Sequence, residues 1–267
     1  MNVTDMTEFR KRIWDFYREH GRDLPWRRHI TPYGVFVSEV MLQQTQVARV
    51  LERWPRWLLR FPGFEALAAA TVAEVLAEWQ GMGYNRRALW LQRAAAQIVG
   101  EHSGRLPTDP AELVRLPGVG PNTAGSIAAF AYDAPMVFIE TNIRRVFLHE
   151  FFGDQAEVTD AQLRPLIEVA LDPEHPREWY YALMDYGSDL AKRVPNPNRR
   201  SRHYAVQSKF EGSSRQVRGE VLRQLLAGPL AAEDLATAVP DERLPSVLAA
   251  LVKEGFVVAA GRVYRLA

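Results

Sequence analysis

Residues 113–142 read LVRLPGVGPNTAGSIAAFAYDAPMVFIETN, a glycine hairpin between two helical stretches, then a carboxylate 20 residues past the last hairpin glycine. Leu116-Pro117-Gly118-Val119-Gly120 cannot stay helical through a proline and two glycines. Pro121 suits the first position of a new helix, where a missing N–H costs nothing. The unpaired N–H groups at that helix start point outward and favour an anion. The segment therefore offers a backbone clamp for phosphate with an acid downstream. A lone GxG is as readily a plain helix–helix turn, so its context decides.

Around this segment the composition is that of an ordinary globular chain. The 267 residues are 47% hydrophobic and 24% charged, enough to bury a full core in more than one domain. No apolar run approaches a membrane span of roughly 20 residues. The start, MNVTDMTEFRKRIWDFYREHG, has no apolar signal core, so the expected location is the cytoplasm, on the nucleoid if the source is bacterial. With no cysteine, disulfides, thiolate metal sites and cysteine-ligated clusters are excluded. Net charge is only +1, but residues 191–218 carry eight basic side chains against Glu211 alone. That local surplus points to a polyanion.

Helical periodicity dominates from residue 7 to about 190. Phe9, Ile13 and Phe16 share a helical face, and LPWRRHITPYG interrupts the pattern. Val35–Arg60 resumes it through Val40, Val47, Leu51 and Leu58, and Thr71–Trp79, Arg86–His102 and Pro110–Arg115 predict further helices. After the basic stretch, VRGEVLRQLLAG, AAEDLATAV and DERLPSVLAALVKEG predict three short helices, and FVVAAGRVYRLA two strands across a Gly-Arg turn. Leu244, Val247, Leu248 and Leu251 would form the buried stripe of the third helix. Its other face, Ser246, Ala249, Ala250 and Lys253, is poorly equipped to read base edges. Residues 216–267 balance six basic against six acidic side chains, which favours a structural or protein-contact role.

Three further stretches carry the chemistry: Leu24-Pro25-Trp26-Arg27, the run PYGVFVSEVMLQQTQV over residues 32–47, and WQGMGYNRRA over residues 79–88. With LxxLPGVGxxTA they resemble, in order, the helix-hairpin-helix DNA glycosylase superfamily that includes endonuclease III and the MutY-type adenine glycosylases. The resemblance spans roughly residues 8–207. It implies that Glu39 protonates the leaving adenine, that Trp26 and Arg27 line the base pocket, and that Gln43, Gln44, Thr45 and Met82 face DNA while Tyr84 wedges into the stack. It also implies that Gly118 and Gly120 hold a phosphate, with a monovalent cation on the carbonyls of Val114, Leu116 and Val119. Such contacts position DNA without reading sequence.

The chain departs from the family in three places. The catalytic position, normally Asp, is Glu140 in Ile139-Glu140-Thr141-Asn142, with Asn142 matching the asparagine that helps position it. Asn122 stands where bifunctional relatives carry a Schiff-base lysine, which implies a glycosylase without lyase chemistry. The family's iron–sulfur spacing falls on Ala191, Asn198, Ser201 and Gln207, so no cluster is expected, and Arg199, Arg200 and Arg202 of that loop are expected to grip the DNA backbone.

The expected architecture is mainly α: a two-lobed helix-hairpin-helix glycosylase domain over residues 1–207 with the former cluster loop at 191–207, a linker at 208–215, and a winged-helix-like α+β domain over 216–267. The expected activity is monofunctional hydrolysis of the N-glycosidic bond of a flipped purine, foremost adenine opposite guanine or 8-oxoguanine. Glu39 and Glu140 would be its catalytic carboxylates, with Asn122 and Asn142 beside them. Expected partners are double-stranded DNA and a protein at the winged module, with the enzyme a monomer. A glycosylase for another damaged base and a non-catalytic DNA-structure binder remain as alternatives.

Overall fold

The computed structural model describes residues 3–206 and 209–267, with side chains from Met6 onward. In chain order the helices are α1 (Val3–His20), α2 (Pro25–Arg28), α3 (Pro32–Leu42), α4 (Val47–Arg60), α5 (Phe64–Ala69), α6 (Val72–Trp79), α7 (Arg86–His102), α8 (Pro110–Leu113), α9 (Pro121–Tyr132), α10 (Thr141–Phe151), α11 (Asp160–Ala170) and α12 (Pro176–Arg193). A 3-10 turn at Pro197–Arg200 follows, then α13 (Ser214–Ala227), β1 (Leu230–Ala231), α14 (Ala232–Ala238), α15 (Leu244–Glu254), β2 (Val257–Ala260) and β3 (Val263–Leu266). The fold is mainly helical, as the periodicity predicts. No helix among the described residues is long and apolar enough to cross a membrane.

The chain divides into two compact units. The first holds the described residues up to Glu39, with Pro107–Arg115 and Val119–Val206. Its core is aromatic: Phe9 of α1 meets Phe147 of α10 and Trp179 of α12 edge-on at 5.5 and 6.1 Å. Phe130, Phe138 and Tyr180 extend the same cluster. The loop after α12 is tied down by backbone pairing, with Val158 donating to the Arg200 carbonyl (2.9 Å) and Arg202 donating to that of Val158 (3.0 Å).

The second unit holds Val40–Leu106, Leu116–Gly118 and the described residues from 209 onward. Over Val35–Arg60 the structure departs from the single stripe that the rhythm predicts. The chain turns at residues 43–46, where Gln44 takes φ +54, and a new helix starts in a different phase. Val50, Trp54 and Trp57 are the buried residues of α4, while Leu51 is 38% exposed. Thr71 and Glu74 close a capping box at the start of α6.

The C-terminal module clusters with this second unit. Leu244, Val247, Leu248 and Leu251 are buried on α15, as their spacing predicts. The two strands pair antiparallel, with Val257 opposite Leu266 and Ala260 opposite Val263, and the turn between them uses Gly261 at φ +62. Pairing of β1 beside β3 completes a three-stranded sheet that the sequence pattern does not reveal, because two residues carry no alternation. Glu254, the last residue of α15, accepts hydrogen bonds from Arg86 (2.6 and 2.9 Å) and Arg218 (2.7 and 3.2 Å).

Candidate active site

The hairpin glycines differ in what they do. Gly118 takes φ +79, and a Cβ there would lie 2.9 Å from the Trp90 side chain, so both conformation and space demand glycine. Gly120 is extended and caps α9, with Pro121 in the first turn. Of the neighbouring residues, Val114 is 40% exposed, while Leu116 and Val119 are buried.

Helix α9 carries Ser126, whose hydroxyl lies 2.6 Å from Oε2 of Glu39 on α3. Burial pushes the Glu39 carboxyl up, the Ser126 hydrogen bond opposes this, the charge of Glu140 adds to it and Arg27 opposes it, leaving Glu39 at about 7.

Glu140 caps α10. Its Oε1 accepts from the backbone N–H of Asn142 (2.7 Å) and of Ile143 (2.9 Å), and its Oε2 from Asn142 Nδ2 (3.4 Å). Asn142 Oδ1 accepts from Arg145 (2.6 Å), which also donates to the Gly187 carbonyl (2.7 Å). Gly187 is required there, since a Cβ would fall 2.5 Å from the Asn142 carbonyl oxygen. Asn122 Oδ1 accepts from the Ile139 N–H (3.1 Å), fixing the backbone just before Glu140. Burial raises the Glu140 carboxyl above its ordinary value, and the two helix N–H groups and the charges of Arg145 and Arg144 offset only part of that rise. Glu140 is thus both a helix cap and a carboxylate with its own cationic surroundings.

Trp26 is 5% exposed and packs in the core. Arg27 donates to both carboxylate oxygens of Asp185 (2.8 and 2.9 Å), and its guanidinium lies 4.3 Å from the Tyr181 ring centroid. Sequence reasoning missed Asp185 and Tyr181. Their four-residue spacing on one face of α12 was the available signal.

Residues 37–168 match the HhH-GPD superfamily base excision DNA repair protein family. The chain is 37% identical to the adenine DNA glycosylase of Mycobacterium tuberculosis (strain CDC 1551 / Oshkosh), over 88% of this chain and 86% of that one. The chain belongs to the HhH-GPD superfamily of base excision DNA repair proteins. It is 36% identical to the adenine DNA glycosylase of Rattus norvegicus over 71% of its own length, spanning 39% of that longer relative. A thermostable thymine-DNA glycosylase shares its fold with a TM-score of 0.62 at 23% identity, covering 69% of this chain and 87% of that one. A non-covalent endonuclease III–DNA complex does so with 0.58 at 19%, covering 69% and 85%.

The residues expected to face DNA in this glycosylase fold occupy two turns of the second unit. Gln43 Nε2 donates to the Gly118 carbonyl (3.4 Å), and Gln44 is exposed in its left-handed conformation. Arg87, 3% exposed, lies inside the WQGMGYNRRA stretch, but its spacing assigns it no role. One of its terminal nitrogens donates to the carbonyls of Val40 (3.0 Å), Met41 (2.9 Å) and Gln43. The other donates to Thr45 Oγ1 (2.8 Å) and to the carbonyls of Met82 (3.3 Å) and Gly83 (3.2 Å). It satisfies the orphan carbonyls at the end of α3 and binds both turns together. The Met82 side chain is 2% exposed, so it fills the core beneath the turn and its backbone is what the turn presents. Tyr84 takes φ +48, and its hydroxyl accepts from Arg215 of α13 (3.1 Å), a pairing with no local sequence signal.

In the basic loop, Arg199 and Arg202 are exposed. Arg200 differs, because its guanidinium donates to the Leu148 carbonyl (2.9 Å). Of the positions matching the family's cluster ligands, Ala191 is exposed, and Asn198 and Ser201 are buried. Asn198 donates to the Thr141 carbonyl (3.1 Å), and Ser201 Oγ accepts from the His203 N–H (3.1 Å). Gln207 lies outside the described residues. Without a thiolate this donor set does not fit an iron–sulfur cluster.

Proposed function

We propose that this glycosylase hydrolyses the N-glycosidic bond of an adenine flipped out of a mispair in duplex DNA. The observation that carries the reading is the pair Glu39 and Glu140, two carboxyls in one compact unit with unlike surroundings. Glu39, buried beside a hydroxyl and held at about 7, is half protonated near neutrality and serves as general acid to the leaving base. Glu140, though raised by burial, accepts from two helix N–H groups beside Arg144 and Arg145, contacts that favour its carboxylate form, and in that form it stabilises the oxocarbenium character of the sugar. The resemblance to adenine DNA glycosylases supports adenine as the base. A duplex hides its glycosidic bonds, so the base must leave the stack, and Tyr84 with Gln44 fills the gap.

Asn122 supplies no amine, and its side-chain oxygen is engaged by Ile139. Water is therefore the nucleophile and the product is an intact strand with an abasic site. A panel of duplexes, each with one A·G, A·8-oxoguanine, deaminated or alkylated base, is incubated with protein and then cleaved with alkali. The expected outcome is loss of adenine from the mispairs, slowed at least about a hundredfold in Glu39→Gln and Glu140→Gln. Loss of a different base would replace the substrate assignment, and binding without loss from any duplex would leave a DNA-structure binder.

A further inference from the structure

Ser126 is 4% exposed on α9, and its hydroxyl faces two acceptors, Glu39 Oε2 at 2.6 Å and the Thr123 carbonyl at 3.0 Å. It has one proton for both. While Glu39 is neutral, the two oxygens compete on similar terms. Once Glu39 ionises, its charged oxygen is the stronger acceptor. The bond therefore tightens as Glu39 loses its proton, and an interaction that strengthens along a step accelerates it. Donation into Oε2 also leaves Oε1 as the oxygen free to carry the acidic proton.

Building on the reading of Glu39 as general acid, we propose that Ser126 is the positioning residue of that acid, keeping its proton on Oε1 and stabilising the carboxylate formed when the proton leaves. In that step the Glu39 O–H bond breaks, the proton passes to a ring nitrogen of the leaving adenine, and the electron pair stays on the carboxylate. Ser126 keeps its own proton throughout. The other groups that act on Glu39 are Glu140 at the start of α10, Arg27 on α2 and the Tyr181 hydroxyl on α12. Of these only Arg27, together with Ser126 itself, favours the charged form. Loss of the Ser126 hydroxyl should therefore move the ionisation of Glu39 to higher pH.

Single-turnover base release from an adenine mispair, measured across pH, tests this in wild type, Ser126→Ala, Ser126→Thr and Glu39→Gln. Ser126→Ala should be about ten- to a hundredfold slower below its ionisation, as expected for a missing charge-assisted hydrogen bond. Its alkaline limb should lie at higher pH and its duplex affinity should match wild type. Ser126→Thr should restore rate and limb together. An unshifted limb in Ser126→Ala would overturn the proposal even if the rate fell, because a structural defect alone does not move it. If the alanine variant fails to fold, Ser126→Cys, of similar volume and weaker hydrogen bonding, takes its place under the same criteria. Wild-type activity in Glu39→Gln would remove the general-acid reading itself, whereas an inactive Glu39→Gln with an unchanged Ser126→Ala removes only the role of Ser126.

Discussion

Arg27 and Asp185 meet through two parallel hydrogen bonds of 2.8 and 2.9 Å, with the Asp185 side chain 1% and the Arg27 side chain 7% exposed. Arg22 adds two further donors to the same carboxylate, its backbone N–H and its Nε, each at 2.7 Å. Burial alone would raise the Asp185 carboxyl, but Arg27 and Arg22 outweigh it and hold the group below its ordinary value of 3.8. A depressed carboxyl gives stability above its unfolded pKa and loses it as pH falls through the folded one. Asp185→Asn should therefore destabilise the protein by about 3–5 kcal/mol at neutral pH, the cost of leaving Arg27 buried without its partner. Thermal melts of the two proteins should converge as pH drops below the carboxylate range. A gap that persists undiminished at pH 2 would show that the pair is not its source.

Glu39 makes the opposite prediction. Its carboxyl is raised from 4.5 to about 7, so the folded state favours the protonated form. Such a group contributes stability below its unfolded pKa and loses it as pH rises through the folded one. Glu39→Gln should melt like wild type near pH 4 and be more stable at pH 8, by up to about 3 kcal/mol for a shift of this size. The same substitution should lower the single-turnover rate by about 10²–10⁴ and remove the fall in rate above about pH 7, since removal of a general acid costs that much. Equal melting at both pH values would contradict this account of Glu39.

Substitution of Glu140 separates its two roles. Glu140→Ala removes the cap of α10 as well as the charge, and should cost about 1 kcal/mol of stability in addition to activity. Glu140→Gln keeps an oxygen that can accept from the Asn142 and Ile143 N–H groups but carries no charge. It should keep most of the stability while the rate falls by about 10²–10³, the usual effect for a group placed at developing charge. Melts and single-turnover rates on both variants give the comparison. A Glu140→Gln enzyme as fast as wild type would end the catalytic assignment.

Those two glutamates are legible in the sequence because short-range pattern marks them. Glu39 sits inside one continuous motif, and Glu140 lies a fixed distance past a hairpin whose glycines and proline have local conformational reasons. The apolar rhythm likewise predicts the stripe of α15, where turn residues on either side set the helix phase. Over Val35–Arg60 the same rhythm misleads, because Gln44 enters the left-handed region without being glycine and the helix restarts out of phase. Ser126, Arg87 and Asp185 are invisible for another reason. Each is defined by a partner 42 to 163 positions away, and no local pattern encodes which buried polar group will meet which.

Arg87 is the clearest of these. It joins the turn of Gln43 and Thr45 to that of Met82 and Gly83, and burial lowers its guanidinium to about 10. Arg87→Met keeps the stem and removes every donor, leaving several carbonyls without partners. It should destabilise the fold by more than about 3 kcal/mol. Arg87→Lys should recover only part of that, because a point donor cannot reach both turns as a planar fork does. By contrast, Tyr84→Ala should fold normally and lose base release from duplex while retaining it from a single strand. Equal losses on both substrates would argue against a wedge.

The basic loop gives a prediction in which three neighbouring arginines part company. Arg199 and Arg202 are exposed, whereas Arg200 donates to the Leu148 carbonyl. If the loop grips phosphates, Arg199→Glu and Arg202→Glu should weaken duplex binding and flatten the dependence of log affinity on log salt by about 0.9 for each phosphate no longer neutralised. Neither change should alter the melting temperature appreciably, since both side chains lie in solvent. Arg200→Glu should behave in the other way, lowering stability by placing a carboxylate against a backbone carbonyl, with its effect on the salt slope following only from the distorted loop. Titrations over roughly 50 to 200 mM salt, paired with melts, separate the two classes. An unchanged slope in Arg199→Glu and Arg202→Glu would place the DNA-binding surface elsewhere, and equal melting of all three variants would deny Arg200 its tie to α10.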